Sequence, residues 1–310
     1  MGRHSYDPGQ EPRPTPRLRV AHGGLTDIGL LRAVNEDAFL AEPPVFLVAD
    51  GMGGHRAGDL AARAALDAFT DLVGQEFVTS AQLDAALARA AADVARLGDD
   101  VGAPGCTLTG LVLSLQGDLP CLHVVNVGDS RTYHFAQDTF SLVTRDHSEV
   151  QELIDAGRLT LSQARTSARR NVITRALGAG AGPVVPVDRF LLPAHAGDRF
   201  VICSDGLSAL VSEPVIESVV RSARPPRQVA RELVDRALAA GGTDNVTVLI
   251  VDIIDVRPVW ERTDVDDETL PPQRRASEDT LPRQRLIIDG SAVLRDRKST
   301  RLNSSHPAGS

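Results

Sequence analysis

Aspartates at the ends of apolar strand-type stretches are the feature that most constrains this chain. VFLVADG carries Asp50, HVVNVGDS carries Asp129 and FVICSDG carries Asp205, while Asp244 in GGTDN precedes the last apolar stretch, NVTVLIVDII. Asp and Gly are common turn formers, so each occurrence alone is compatible with an ordinary turn at the end of a strand. Their recurrence predicts several strands whose ends carry carboxylates.

The order of strand-type and helix-type stretches favours an α+β fold. Two helical stretches follow one another before three beta-type stretches with short connections, and this order breaks the alternation of a doubly wound parallel sheet. We therefore expect antiparallel sheets packed against helices. The beta-type stretches lie at 45–50, 106–115, 121–135, 139–144, 198–206 and 245–254, and the helical ones at 57–73, 80–97, 147–157, 212–223 and 226–242.

Composition divides the chain into three parts. Residues 1–21 are polar and proline-rich and predict a disordered lead, and the folded domain is expected over residues 22–256. Residues 257–310 predict a disordered polar tail, whose last residues, RKSTRLNSSHPAGS, resemble translated cloning sequence appended to a reading frame. With 310 residues, 42% of them apolar, the chain is long enough to bury a large core.

Charge, cysteine usage and hydropathy exclude several functional classes. The net charge of -8 argues against a nucleic-acid binder, which would need a basic surface. Cys106, Cys121 and Cys203 lie inside apolar runs without metal-binding spacing, which predicts buried thiols in a reducing compartment. No apolar run reaches the roughly 18 to 20 residues of a bilayer span, and the N-terminus lacks a signal-peptide core. We expect a cytoplasmic protein without a membrane span.

The carboxylates predict a site for hard cations. If the strand ends meet at one edge of a sandwich, the anionic side chains repel one another unless cations lie between them. Oxygen ligands without cysteine or suitably spaced histidine select magnesium or manganese. The stretch TDIGLLRAVNEDAF adds Glu36 and Asp37 and, four residues before Glu36, Arg32. An arginine there either neutralises the carboxylates or binds an anionic substrate.

The ordered series RAVNED, ADGMGGH, NVGDSR, CSDGL and GGTDNVT resembles the metal-dependent protein phosphatases of type 2C, the PPM family, in its bacterial form. The resemblance covers about residues 22–255. It implies a four-layer αββα sandwich of two antiparallel β-sheets flanked by helices. It also implies a cofactor of two Mn2+ or Mg2+ ions, with a third, weaker ion site.

The activity implied by this resemblance is that of a protein-serine/threonine phosphatase. Such an enzyme hydrolyses phosphoserine and phosphothreonine monoesters with a water that two metal ions activate. The expected partners are phosphorylated proteins, including bacterial Ser/Thr kinases and their targets, and the chain is expected to be a monomer.

The family pattern assigns the metal ligands residue by residue. Asp50 would bridge two metals, and Gly51 would offer its backbone carbonyl to one of them. Asp205 and Asp244 would complete the shell of the other metal.

The remaining motif residues receive supporting and substrate roles from the same resemblance. Glu36 would act mainly through metal-coordinated water, supported by Asp37, and Asp129 would help to hold the third metal. Arg32 would bind the substrate phosphate, and with Asp50 it forms the expected catalytic set.

Three positions depart from the family pattern or extend it. Met52 stands where animal members carry a candidate proton-donating histidine, and nearby His55 is more often a solvated turn residue than an acid. Ser167-Ala168 replaces a His-Pro pair that many bacterial members carry in the flap. The flap arginines either meet phosphorylated substrates or form a solvated basic face; they are Arg165, Arg169, Arg170 and Arg175.

Two other functions stay open on the sequence. The first is a regulatory phosphatase with one dedicated phosphorylated antagonist protein, and the second is a catalytically weak phosphoprotein-binding module of the same fold. The presence of all matched aspartates favours the enzyme. In the tail, Thr269 and Thr280 lie in similar acidic contexts, DDETLPP and SEDTLPR, which suit either phosphorylation or a solvated acidic linker.

Overall fold

The computed structural model describes residues 15–53, 57–101, 103–180, 184–257 and 286–287. A short 3-10 helix, Thr70–Leu72, lies in the connection between the helices Ala57–Asp67 and Ser80–Val101. The strands are β1 Arg17–Asp27, β2 Asp37–Glu42, β3 Val45–Met52, β4 Gly105–Cys106, β5 Leu108–Gln116, β6 Leu119–Val127, β7 Arg131–Ala136, β8 Thr139–Leu142, β9 Leu177–Gly178, β10 Asp188–Pro193, β11 Arg199–Cys203, β12 Val246–Arg257 and β13 Leu286–Ile287. The helices are α1 Ala57–Asp67, α2 Ser80–Val101, α3 Glu149–Asp155, α4 Leu161–Thr166, α5 Asp205–Ser208, α6 Glu213–Val220 and α7 Pro226–Ala239.

The strands form two antiparallel sheets. The first has the order β1-β12-β11-β7-β8, and the second has the order β13-β10-β6-β5-β3-β4-β9, with β2 paired to β3. Consecutive strands pair in the hairpins β2–β3, β5–β6 and β7–β8. Because β12 lies between β1 and β11, the last long strand is an interior strand of the first sheet.

Alternating side chains on each sheet build a four-layer core. On β3, Phe46 and Val48 face the space between the sheets, where they share a cluster with Phe200 and Ile202 of β11. Leu47 of β3 points the other way and packs with α1 and α2. This two-residue alternation is what a strand covered on both faces requires. The predicted α+β sandwich of two antiparallel sheets flanked by helices is confirmed.

The covering helices follow their apolar periodicity. On α2, Leu83, Leu87, Ala90 and Val94 are all buried, at the three- and four-residue spacing of one helical face. On the opposite side of the molecule, α6 and α7 pack on the outer face of the first sheet in a separate apolar cluster. None of the helices in the described ranges combines the length and hydrophobicity that a bilayer span requires.

The predicted start of the folded domain, residue 22, lies inside the first strand of the structure. Strand β1 begins at Arg17, inside the expected disordered lead 1–21, and pairs with β12 from Arg17 opposite Arg257 to Asp27 opposite Val246. Local composition misses this strand because its hydrogen bonds come from residues more than 200 positions away.

The expected tail, 257–310, also contains a strand. Leu286–Ile287 pairs with Phe190 and Leu191 on the edge strand β10. Apart from Arg257, which ends β12, the other tail residues, including Thr269 and Thr280, lie outside the described ranges, as does His55.

Candidate metal centre and active site

The β2–β3 hairpin places two of the predicted acids side by side. Asp37 lies directly opposite Asp50 in the antiparallel register. Side chains in such positions have Cβ atoms about 4.5 to 5.5 Å apart. Thr107 holds the backbone of Asp50, because the Asp50 N–H donates to Thr107 Oγ1 (3.1 Å) and the Thr107 N–H donates to the Asp50 carbonyl (2.8 Å). The hairpin therefore brings two carboxylates together on a rigid backbone.

Asp37 connects this hairpin to the first sheet. The hydroxyl groups of Ser204 and Thr247 both donate to Asp37 Oδ2, at 2.7 and 2.8 Å. Ser204 immediately precedes Asp205, which begins α5 at the end of β11. Asp37 is buried, and its Oδ1 atom has no hydrogen-bond partner among the described residues. The carboxylate is thus oriented by neutral donors on one oxygen only.

Asn245 organises the other side of the site. Its Oδ1 accepts from the Glu36 N–H at 2.8 Å, and its own N–H donates to Asp244 Oδ1 at 2.9 Å. Its Nδ2 donates to the carbonyls of Ile28 (2.9 Å) and Val34 (3.0 Å). The side-chain amide of Asn245 therefore fixes the Glu36 backbone and the loop before β2, and its backbone N–H fixes the Asp244 carboxylate.

Gly51 lies where no side chain fits. A Cβ atom there would clash with the carbonyl oxygen of Gly58, and it would lie 2.7 Å from the carbonyl oxygen of Glu36. The Gly51 N–H donates to that Glu36 carbonyl at 3.1 Å. Glu36 Oε1 is buried without a partner in the described ranges and would lie 2.7 Å from a Cβ added to Gly58. Gly51 of β3 and Gly58 of α1 are therefore both required by close packing around Glu36.

Asp129 lies in the turn between β6 and β7. It is buried, and its Oδ1 lacks a hydrogen-bond partner in the part of the chain that the structure describes. Gly128 has a φ of 103°, and a Cβ there would meet the Thr107 side chain at 2.5 Å. Since Thr107 also holds Asp50, the two aspartates share a support.

Mutual repulsion and burial dominate the electrostatics of these acids. Burial, with the charges of Asp205 and Asp244, raises the pKa of Asp37 to about 7 even though Ser204 and Thr247 lower it. Burial and the neighbouring Asp205 raise the pKa of Asp129 to about 7.

The pKa values of Asp50 and Asp205 rise for the same reason, burial first and neighbouring carboxylates second. A side-chain hydrogen bond with Asp50 opposes the rise in the pKa of Asp205. These carboxylates therefore carry their charges at a high energetic cost unless cations compensate them.

Arg32 provides one compensating charge. Its guanidinium donates to Asp244 Oδ2 at 2.6 Å, and this hydrogen bond is the main reason why its pKa is raised. The Arg32 side chain is 49% exposed, so much of the guanidinium faces solvent. Of the two roles that the sequence left open, the structure shows the pairing with a carboxylate.

The donor set fits divalent cations. Buried oxygens of Glu36, Asp37 and Asp129 have no partners in the described ranges, and all available ligand atoms are oxygens. In those ranges, no group of three or more His, Cys, Asp and Glu side chains is already placed to enclose an ion. The fit consequently rests on unpartnered oxygens and on charge, not on a closed ligand shell.

His147 is a supporting residue that the sequence reasoning missed. Its ring Nδ1 accepts from the Gly128 backbone N–H (3.0 Å), and its own backbone N–H donates to the Gly128 carbonyl (2.9 Å). Its Nε2 lies 3.1 Å from Asp188 Oδ2, and Arg175 donates to Asp188 Oδ1 at 2.8 Å. The sequence offered one sign of this role: His147 lies in a polar segment, TRDHS, soon after a strand.

The arginine-rich flap is tied to the body of the protein at two points. Arg169 pairs with Glu149 of α3, and Arg175 pairs with Asp188 of β10. These pairs favour a structural role for two of the four flap arginines. Ser167 ends α4 as its C-cap.

The cysteines Cys106, Cys121 and Cys203 are all buried, as predicted.

Comparison with known proteins identifies the family. The family model described as Protein phosphatase 2C matches residues 32–240. The serine/threonine protein phosphatase PstP of Mycobacterium tuberculosis is 36% identical over 245 residues, which is 77% of this chain and 46% of PstP. The serine/threonine phosphatase stp of Listeria innocua is 33% identical over 73% of this chain and 93% of its own length.

Solved structures agree with this relationship. The crystal structure of M. tuberculosis PstP has a TM-score of 0.70 at 34% identity and covers 76% of this chain and 99% of its own. The PstP catalytic domain in complex with two manganese ions has a TM-score of 0.69 over 77% of this chain and 100% of its own. The chain belongs to the protein phosphatase 2C family. It spans about half the length of the PstP sequence that it matches.

Proposed function

We propose that this chain is a metal-dependent protein-serine/threonine phosphatase that hydrolyses phosphoserine and phosphothreonine monoesters in proteins. The observation that carries the proposal is the convergence of buried carboxylates with unpartnered oxygens at one end of the sandwich. Family membership and similarity to a relative solved with two manganese ions support it. Phosphorylated proteins, including Ser/Thr kinases and their targets, are the proposed substrates.

The metal-holding set is proposed on the same grounds. It comprises Glu36, Asp37, Asp50, the backbone carbonyl of Gly51, Asp129, Asp205 and Asp244. Bound manganese or magnesium ions supply Lewis acidity toward the phosphoryl oxygens and lower the pKa of water.

The chain's own residues orient this set. Ser204 and Thr247 fix the Asp37 carboxylate by hydrogen bonds, and Asn245 fixes Asp244 and the backbone of Glu36. Arg32, half exposed beside Asp244, presents a guanidinium whose planar donors suit a phosphate dianion. In this arrangement Arg32 binds the substrate phosphate and the buried acids hold the cations next to it.

The decisive experiment is manganese-dependent phosphate release from a phosphothreonine peptide. The purified chain should release phosphate, a chelator should abolish release, and Asp205→Asn should lower it by at least about 100-fold. Asp255→Asn, on an exposed ion pair of β12, is the matched control and should keep full activity. Full activity in the presence of chelator, or in Asp205→Asn, would contradict the proposed site.

The alternative functions have distinct outcomes in the same experiment. A phosphoprotein-binding module would bind manganese and the peptide without releasing phosphate. A regulatory phosphatase with one antagonist would release phosphate from that protein far faster than from peptides. The monomeric state and the cytoplasmic location stay predictions.

A further inference from the structure

Exposed apolar side chains are concentrated in the loop before β2. Ten large apolar residues in the described ranges are exposed, and four of them lie within residues 28–34. We call these four the apolar lip: Ile28, Leu30, Leu31 and Val34. Leu30 and Leu31 are 64% and 72% exposed. Single exposed leucines are ordinary, but four exposed apolar residues within one seven-residue loop make that loop a candidate interaction surface.

The lip is held rigidly. The Leu30 N–H donates to the Gly242 carbonyl at 2.7 Å, and Asn245 Nδ2 donates to the carbonyls of Ile28 and Val34. Gly29 has a φ of 76° and lies so close to the Asp244 carbonyl that a Cβ would clash with it. These contacts keep the apolar side chains facing solvent, so a partner that covers them orders little additional backbone.

The lip is continuous with the phosphate-binding end of the site. Leu31 immediately precedes Arg32, and Asn245, which holds the loop, also holds Asp244, the ion-pair partner of Arg32. Consecutive Cα atoms lie about 3.8 Å apart, and an extended peptide advances about 3.3 to 3.6 Å per residue. Residues within about three positions of a phosphorylated residue bound at Arg32 are therefore within reach of the lip.

We propose that the apolar lip binds apolar side chains that flank the phosphorylated residue, so that the chain prefers phosphopeptides with leucine, isoleucine or valine near the phosphoresidue. This inference rests on the proposed phosphatase function and deepens it. The positive Arg32 and the adjoining apolar lip match an occupant that combines a phosphate with apolar neighbours.

The test compares two phosphothreonine peptides that differ only in having leucines or serines beside the phosphothreonine. The wild-type chain should prefer the leucine peptide by about tenfold in kcat/KM, chiefly through KM. Leu31→Ser should reduce this ratio to about twofold or less. The matched control Leu119→Ser, on an exposed residue at the start of β6, should keep the full preference.

Two further readouts separate this inference from the proposed function. Turnover of p-nitrophenyl phosphate, which has no flanking residues, reports phosphatase activity alone, and its KM should change far less than the peptide KM in Leu31→Ser. Fluorescence anisotropy of both peptides reports the preference without turnover. A wild type that binds the leucine peptide more tightly but releases no phosphate from either peptide or from p-nitrophenyl phosphate would overturn the phosphatase function and leave the lip as a binding surface.

Other outcomes overturn the lip itself. Equal binding and equal kcat/KM for both peptides in the wild type would remove it as a specificity determinant. A preference that survives Leu31→Ser unchanged would place the selecting surface elsewhere. A concentration-dependent dimer that Leu31→Ser abolishes, without any peptide preference, would assign the lip to a second copy of this chain.

Discussion

Two cross-strand pairs at opposite ends of the sandwich show contrasting ways of burying charge. Asp37 lies opposite Asp50, so like charges face each other next to Asp205, which follows β11. At the start of β11, Arg199 lies opposite Asp252, and its guanidinium donates to both carboxylate oxygens at 2.6 and 2.7 Å. Opposite charges stabilise such a pair and like charges destabilise it.

The rest of each environment extends this contrast. Arg199 also donates to the backbone carbonyls of Val220, Ser222 and Arg224, so its hydrogen bonding is well satisfied. At the other end, no ion pair within the described ranges reaches Asp37 or Asp50, and burial together with neighbouring acids raises the pKa of both. The pair at one end is thus compensated by the chain itself, whereas Asp37 and Asp50 at the other end depend on cations from outside the chain. A stability cost retained in this way is typical of functional sites.

The compensated end should show the largest change in stability. Asp252→Asn leaves the buried Arg199 without its counter-charge and should lower the free energy of unfolding by about 3 to 5 kcal/mol, measured in urea. Asp255→Asn on the same strand breaks only a half-exposed pair and should cost at most about 1 kcal/mol. If both variants lost the same small free energy of unfolding, the ion pair of Arg199 and Asp252 would not stabilise its end of the sandwich as argued.

At the acidic end, one substitution should move activity and stability in opposite directions. Asp50→Asn should lower phosphate release by at least about 100-fold. In chelator at pH 8, the same variant should raise the free energy of unfolding by about 1 kcal/mol, because one of the facing charges is removed. A variant that is less stable than the wild type in chelator would show that repulsion between Asp37 and Asp50 does not destabilise the fold.

The neutral donors at the acidic end allow a finer test. Thr247→Val keeps the shape of the buried side chain but removes one of the two hydroxyl donors to Asp37 Oδ2. Manganese affinity, measured by calorimetry, should fall about 10- to 100-fold. Ser218→Ala removes an exposed hydroxyl that bonds only its own helix, and it should leave manganese affinity unchanged.

The smallest stability effect is expected at Arg32. Its pair with Asp244 is half exposed, so Arg32→Gln should change the free energy of unfolding by no more than about 1 kcal/mol. The same variant should raise KM for a phosphopeptide by about tenfold, because a charge-assisted contact with phosphate is lost. A large loss of stability with unchanged KM would make Arg32 a structural counter-charge rather than a substrate ligand.

Particular elements show how far sequence reasoning reached. The long strand β12 and the amphipathic helix α2 were predictable, because strand and helix periodicity are local properties. Strands β1 and β10 were not predicted, because pairing with distant strands stabilises them. The supporting contacts of His147, Asn245 and Thr107 were also missed, since their partners lie outside any local pattern: 19 residues away for His147 and Gly128, 57 for Thr107 and Asp50, and 217 for Asn245 and Ile28.

The sequence by itself determined the class of fold, the oxygen-only donor chemistry and the set of acids in question, because residue type and strand periodicity are written locally. Only the tertiary structure decided that Asp37 faces Asp50, that Ser204 and Thr247 orient Asp37, and that Arg32 pairs with Asp244. It also decided that the loop beside Arg32 exposes its leucines. Those relations depend on strand register and on contacts between remote segments, and both exist only once the two sheets have packed together.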